Sequence, residues 1–162
     1  MLLSFSVPEM LPMVVRSLRS RDGLDAGVDD WLNAHFEHEI SVGLSGQKSQ
    51  TIRQYDPQDP KRQWWLKASA GTRLQIWWLS PRVKFKNPTG RQIPKRLGEV
   101  SVVARDTVLM RNRDGKFQYI DRRGEQNPCP MARMDGFRTF SAMRDYFVPR
   151  PGDQFHGVLV RW

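Results

Sequence analysis

An α+β fold is predicted, a small curved sheet or barrel with helices laid across its ends, and three observations carry that expectation. Several segments have the short, β-branched and aromatic character of strands: "LLSFSV" (2–7), "LQIWWL" (74–79), "LGEVSVVARDTVLM" (97–110) and "DQFHGVLVRW" (153–162). Helical periodicity is confined to a few short stretches. Strands and helices do not alternate regularly, which argues against a parallel doubly wound sheet. The 162 residues suffice for one domain with a hydrophobic core, so residues 1–162 are taken as a single domain.

In chain order, the strand at 2–7 is followed by Pro8, which suits a turn or a first helical position, and "EMLPMVVRSL" reads as a short helix. After loop signals at 20–28, "VDDWLNAHFEHEISVGL" sets Trp31, Leu32, His35, Phe36 and Ile40 at helical spacing. Asp29 and Asp30 stand near its start, and Gly43 or Gly46 near its end. "YDPQDP" is a turn-rich connector. "SPRVKFKNPTGRQIPKR" is expected as a basic loop or edge strand, and residues 97–110 as one long or bent strand. Asp114-Gly115 signals a hairpin. "DRRGEQNPCPMAR" is expected to be irregular. "DGFRTFSAMRDYFV" (135–148) reads as a helix with Phe137, Phe140, Met143 and Phe147 on one face, ended by prolines, and the last ten residues close the chain as a strand.

Charge narrows the class of partner. Residues 1–60 hold 5 Lys/Arg against 9 Asp/Glu, whereas residues 61–162 hold 21 against 8. From Pro60 to Gly98 there is no acidic residue, yet ten cations: Lys61, Arg62, Lys67, Arg73, Arg82, Lys84, Lys86, Arg91, Lys95 and Arg96. Trp64, Trp65, Trp77 and Trp78 lie in the same span. A solvated face normally mixes both signs, so the cations point to an anionic partner such as RNA or a nucleotide. The tryptophans could serve as stacking platforms, but large aromatics usually end up packed, so they read as core strand residues.

Other classes find no signature. No Walker loop, GxSxG, HExxH or cysteine cluster is present, and no metal or cofactor is expected. His35 and His38 share a helical spacing but lack a third ligand, and His156 stands alone. The single cysteine, Cys129, sits between two prolines with no base beside it, as expected in a reducing compartment. No run is long enough for a membrane helix, and the apolar start carries no leading cation or cleavage pattern. A cytoplasmic protein with no membrane partner is therefore expected.

One stretch stands out, "GQKSQTIR" (46–53), with Lys48, Ser49, Thr51 and Arg53 close behind Gly46. On a strand Thr51 and Arg53 share a face, while Lys48 meets Thr51 only if the chain turns between them, as it would leaving a helix capped near Gly46. A lysine shielded from water at such a corner has its charged form disfavoured, which makes it a conceivable base. The same residues also suit a surface turn with solvated or phosphate-contacting cations.

The pattern Gly46-x-Lys48-Ser49-x-Thr51-x-Arg53 resembles the ASCH domain family. "KASAGTRLQIWW" is similar to its Gly-Asp-x-Leu strand, with Thr72 where Asp is common; "MDGFRTFSAMRDYF" to its Glu-Gly-Phe helix, with Asp135 in the acidic position; and "GVLVRW" to its closing strand. The resemblance covers most of the chain, apart from residues 17–42, which look like a helical insertion, and parts of 80–130. It implies a PUA-like mixed β-barrel with flanking helices, a class used to bind RNA. It further implies a cleft for RNA or a modified nucleoside, and an amidohydrolase acting on 4-acetylcytidine or, as a second activity known in the family, a ribonuclease.

By motif position the catalytic set becomes Lys48, Thr51 and Asp135, with Arg53, Ser49 and Gly46 lining the substrate. Aspartate is one methylene shorter than the family's glutamate. A nucleic-acid surface is expected at Lys61, Arg62, Arg82, Lys84, Lys86, Arg91, Lys95 and Arg96. Without catalysis, the chain would be a nucleic-acid binding module using this basic face.

Overall fold

A computed structural model describes residues 1–56, 58–84, 90–113 and 115–162; the side chains of Pro60, Lys61, Arg62 and Gly90 are outside the description. The chain is α+β and divides into two compact units, residues 1–48 with 72–101 and residues 49–71 with 102–162. Among the described residues there are four α-helices and two sheets, of three and five strands. No helix of the described residues is long and apolar enough to cross a membrane.

The first unit holds β1 (Leu2–Phe5), α1 (Leu11–Arg19), α2 (Val28–Val42), β3 (Arg73–Trp78) and β4 (Lys95–Ser101), with β2 (Gln50–Gln54) falling in the other unit. β1 runs parallel to β3 and β3 antiparallel to β4, with a bulge between Ile76 and Trp77. Pro8 opens a 3-10 turn, Pro8–Met10, that leads straight into α1. Seven of the nine α1 residues are buried, and α1 packs on β4 and α2.

α2 is kinked at Phe36, whose φ of −139° is not helical. Phe36 meets the Trp78 ring edge-on at 4.9 Å. The buried set of α2 is Val28, Leu32, Phe36 and Glu39; Ile40, expected on the apolar face, is 39% exposed. The kink rotates the last turn, so that Glu39 turns inward to Arg91.

Gly23 and Gly98 bring two segments of this unit together. A Cβ built on Gly98 would lie 1.9 Å from the Gly23 carbonyl oxygen, and Gly98 has φ +155°. Glu99 N–H donates to that same oxygen at 2.8 Å. No larger residue fits this approach.

The second unit holds β2 (Gln50–Gln54), β5 (Ala104–Arg113), β6 (Lys116–Asp121), β7 (Gly124–Gln126), α3 (Pro128–Met134), α4 (Phe140–Phe147) and β8 (Gln154–Arg161). The sheet is antiparallel throughout in the order β2-β8-β5-β6-β7. One face carries Ile52, Val108, Met110, Tyr119 and Leu159, packed with Ala132 of α3, Met143 of α4 and Val148. A 3-10 helix, Pro60–Lys67, follows β2.

Three sequence expectations change here. Residues 97–110 form two strands that pair in different sheets, β4 with β3 and β5 with β8 and β6, separated at Val102 and Val103. Periodicity records which face a residue takes, not which strand it bonds, so the break left no mark. The connector at 121–133 contains β7 and α3, the latter announced by Asn127, whose side chain accepts from Cys129 N–H at 3.0 Å, and by Pro128 at the first position.

The helix expected over 135–148 spans only 140–147. Asp135 is the C-cap of α3, Gly136 takes φ +91° to end it, and Thr139 caps α4 by accepting from Ala142 N–H at 3.1 Å. Phe137 therefore precedes the helix, although it still packs on Phe147, and Phe140 is 39% exposed. The hairpin signal is matched by Arg113 paired with Lys116 and by Gly115 at φ +75°; Asp114 lies outside the described residues.

Candidate functional site

The motif strand β2 lies at the edge of the five-stranded sheet, with β8 on one side. Thr51 and Arg53 point to one face with their β8 partners Val160 and Val158, while Gln50 and Ile52 point to the other. Thr51 is 3% exposed and Arg53 half-buried. Ser49, just before the strand, accepts from Trp162 N–H at 3.0 Å and so ties the motif to the end of β8.

Asp135 arrives from 83 residues away. Its Oδ1 accepts from Ile52 N–H at 3.2 Å, at a strand position that would otherwise hold an unpaired edge donor, and the residue is 5% exposed. The C-cap position sets it there: α3 ends at Met134, and Gln50 Nε2 donates to the Met131 carbonyl at 3.3 Å, so β2 and the last turn of α3 are held side by side.

Burial pushes the Arg53 guanidinium below its usual pKa, while the charges of Asp135 and Tyr146 pull it back up. An arginine remains cationic under either influence. It also lies 5.9 Å over the Trp65 ring. A buried carboxylate, an arginine, a threonine hydroxyl and an indole face are thus gathered within the second unit, donors and acceptors suited to a flat polar ring.

Three further groups of this unit were not signalled by the motif. Tyr119 is fully buried, and its hydroxyl has no hydrogen-bond partner among the described residues. Burial raises its pKa; Asp135, Asp121 and Asp106 raise it further, and Arg161 opposes them. Gln50 Oε1 and Asn112 Oδ1 are likewise buried without a partner among the described residues. None of these residue types carries a spacing signature, so only the fold shows them.

The first-unit members of the motif are described by themselves. Lys48 is 2% exposed; its N–H donates to Met13 O at 3.2 Å and its ammonium lies 5.6 Å from the Phe5 ring centre. Gly46 does not end a helix: α2 stops at Val42 with Gly43 as its cap. Gly46 sits in the connector beyond, at φ +87°, its carbonyl held by Arg16 Nε at 2.7 Å.

The acid-free span is not free of acids in space. Arg91 pairs with Glu39, Arg96 with Asp25 (3.0 Å) and Glu99, and Arg73 with Glu99. Arg91 also lies 4.6 Å over Phe36. Arg82 and Lys84 are exposed and Lys95 half-buried, whereas Lys86 and the side chains of Lys61 and Arg62 lie outside the described residues. Trp77 and Trp78 belong to strand β3, Trp64 and Trp65 to the 3-10 helix, and Trp64 is 51% exposed with Lys67 stacked on it at 5.4 Å.

His35 stacks on Trp31, and no group of three possible metal ligands occurs among the described residues. Comparison with family models, with curated proteins and with solved structures gave no match.

Proposed function

We propose that this is an ASCH-type protein of the PUA-like barrel class that binds a cytidine-like base and hydrolyses the acyl amide on its exocyclic nitrogen, as in 4-acetylcytidine. The observation that supports this most is the meeting of Asp135 with the motif strand: the acid that the resemblance implies, 83 residues from Ile52, lies on β2 next to Arg53. In the reaction water adds to the acyl carbonyl, the carbon–nitrogen bond breaks, and the products are a carboxylic acid and the free amine of cytidine.

The roles follow the resemblance. Lys48, three residues ahead of Thr51 in the motif, takes a proton from the attacking oxygen; Asp135 holds the exocyclic amine and serves its protonation; Arg53 stabilises charge on the carbonyl oxygen. Incubation with 4-acetylcytidine, followed by chromatography for cytidine, tests this directly. Wild type is expected to release cytidine, and Lys48→Ala and Asp135→Asn to lose about 100-fold or more, the scale of a general acid or base. Equal turnover by wild type and variants would remove the assignment.

A noncatalytic RNA-binding module is the second reading, with ribonuclease activity as its catalytic variant. Its support is charge: fifteen of the 26 cations and nine of the 17 acids fall in the second unit, a net +6 of the total +9. No cytidine from wild type, together with retention of oligonucleotide, is the result that selects it.

A further inference from the structure

The sheet of the second unit has one face against α3 and α4, and the other bears a different set of side chains. Along β5, Val108, Met110 and Asn112 are buried, while Leu109, Arg111 and Arg113 point the opposite way. Register extends this second face across three strands: Leu109 is paired with His156 of β8 and with Ile120 of β6, and Arg111 with Gln154 and Gln118.

Two cavities occupy consecutive rungs of this region. The first, about 230 Å³, is lined by Tyr55, His156, Leu109 and Ile120, with Thr107 and Arg122 among the rest. Tyr55 N–H donates to His156 O at 3.1 Å, and the two rings meet edge-on at 6.2 Å. The space is below the roughly 300–1,000 Å³ of drug-sized sites, so it suits one flat ring.

The second cavity, about 340 Å³, is lined by Arg111, Asn112, Arg113, Asp153 and Gln154, among others. Arg111 Nε is held by Gln118 Oε1 at 2.6 Å, which fixes the guanidinium fork. Leu109 and Arg111 are two residues apart on one strand, about 7 Å at ~3.4 Å per residue. Each cavity also has an acid in its lining: Asp121, which pairs with Arg123, and Asp153, whose Oδ2 accepts from Arg150 N–H.

We infer that this open sheet face binds single-stranded nucleic acid, one unpaired base lying in the Tyr55–His156 cleft and the adjoining phosphate at Arg111 and Arg113. An aromatic face and an apolar floor take a base of any sequence; the Arg111 guanidinium, held one rung away, and Arg113 beyond it take the backbone charge. The surface lies on the same sheet face as Thr51 and Arg53, two residues on from Arg53 at Tyr55, and does not depend on hydrolysis. It also moves the polymer contact away from Arg91 and Arg96, whose charges are met by Glu39, Asp25 and Glu99.

Fluorescence anisotropy with labelled oligouridylate and oligothymidylate of about ten nucleotides, within the span one small sheet domain covers, tests the inference. Tyr55→Ala is expected to weaken binding about 10-fold, in line with roughly 1–3 kcal/mol per stacked base, and Tyr55→Phe to stay within about twofold of wild type. Arg111→Gln is expected to weaken binding and to reduce the slope of log affinity against log salt by ~0.7, one phosphate contact on a single strand. Arg82→Ala should bind as wild type.

Binding of both oligomers, or of either alone, supports the site and tells RNA from DNA. Wild-type affinity in both Tyr55→Ala and Arg111→Gln, loss in Arg82→Ala instead, or no binding by wild type would each overturn it. The Tyr55→Phe control separates a lost stacking face from a lost fold.

Discussion

Asp135 shows how one side chain acquires its place. It is a helix C-cap, and that position, set by Gly136 in the left-handed region, carries the carboxylate to an edge N–H of β2. An asparagine there keeps an oxygen to accept from Ile52 but removes the charge that faces Arg53, so Asp135→Asn is expected to lose the proposed hydrolysis and to cost about 1–3 kcal/mol of stability, as read by urea unfolding. Tyr119 is the opposite case, a buried hydroxyl without a partner among the described residues. Removing such a group costs nothing in hydrogen bonds and relieves desolvation, so Tyr119→Phe should leave the denaturation midpoint unchanged or raise stability by up to about 1 kcal/mol. A midpoint lowered well beyond error would mean that the hydroxyl is satisfied in solution.

At the scale of elements, close approach decides more than propensity does. Gly98 of β4 faces the Gly23 carbonyl so tightly that any Cβ displaces backbone. Gly98→Ala is expected to destabilise by roughly 3 kcal/mol, combining overpacking with an unfavourable φ, as read by urea unfolding followed by tryptophan fluorescence. A change under about 0.5 kcal/mol, ordinary for a surface site, would show that the two segments part easily. The short helices follow the same logic. α3 and α4 are delimited by Asn127, Gly136 and Thr139, three caps that cut what reads as one apolar helical face into a helix end, a turn and a new helix.

For the whole molecule, charge sets the response to pH. The net charge of +9 is the ground for the proposed polyanionic partner, which the salt dependence of any oligonucleotide binding would measure. Two buried carboxylates bear on stability, one in each unit. Burial tends to raise Glu39, yet a backbone hydrogen bond and Arg91 hold it below 4.5; burial likewise acts on Asp121, which Arg123 holds below 3.8. A depressed folded pKa contributes stability above the unfolded value, lost as pH falls through the folded one. Urea midpoints are therefore expected to fall from about pH 5 downward and to stay level from there to pH 7. In Glu39→Gln the acid-side loss should be smaller; an identical pH profile would exclude Glu39 as a contributor.

Local chemistry was enough to reveal the α+β class, the first and last strands, β3, the two N-terminal helices and the hairpin at Gly115, because each rests on periodicity or a turn residue within a few positions. The motif also announced Thr51 and Arg53 as a pair on one strand face, since the period of a strand is two. What lay beyond reach was every pairing of distant segments: the split of 97–110 between two sheets, the acids that answer Arg91 and Arg96, and the union of Tyr55 with His156. Backbone hydrogen bonds and ion pairs form between whichever groups the tertiary packing brings within about 3 Å. A span without acids can therefore fold against acids from elsewhere, and Asp135 reaches β2 because α3 ends where it does.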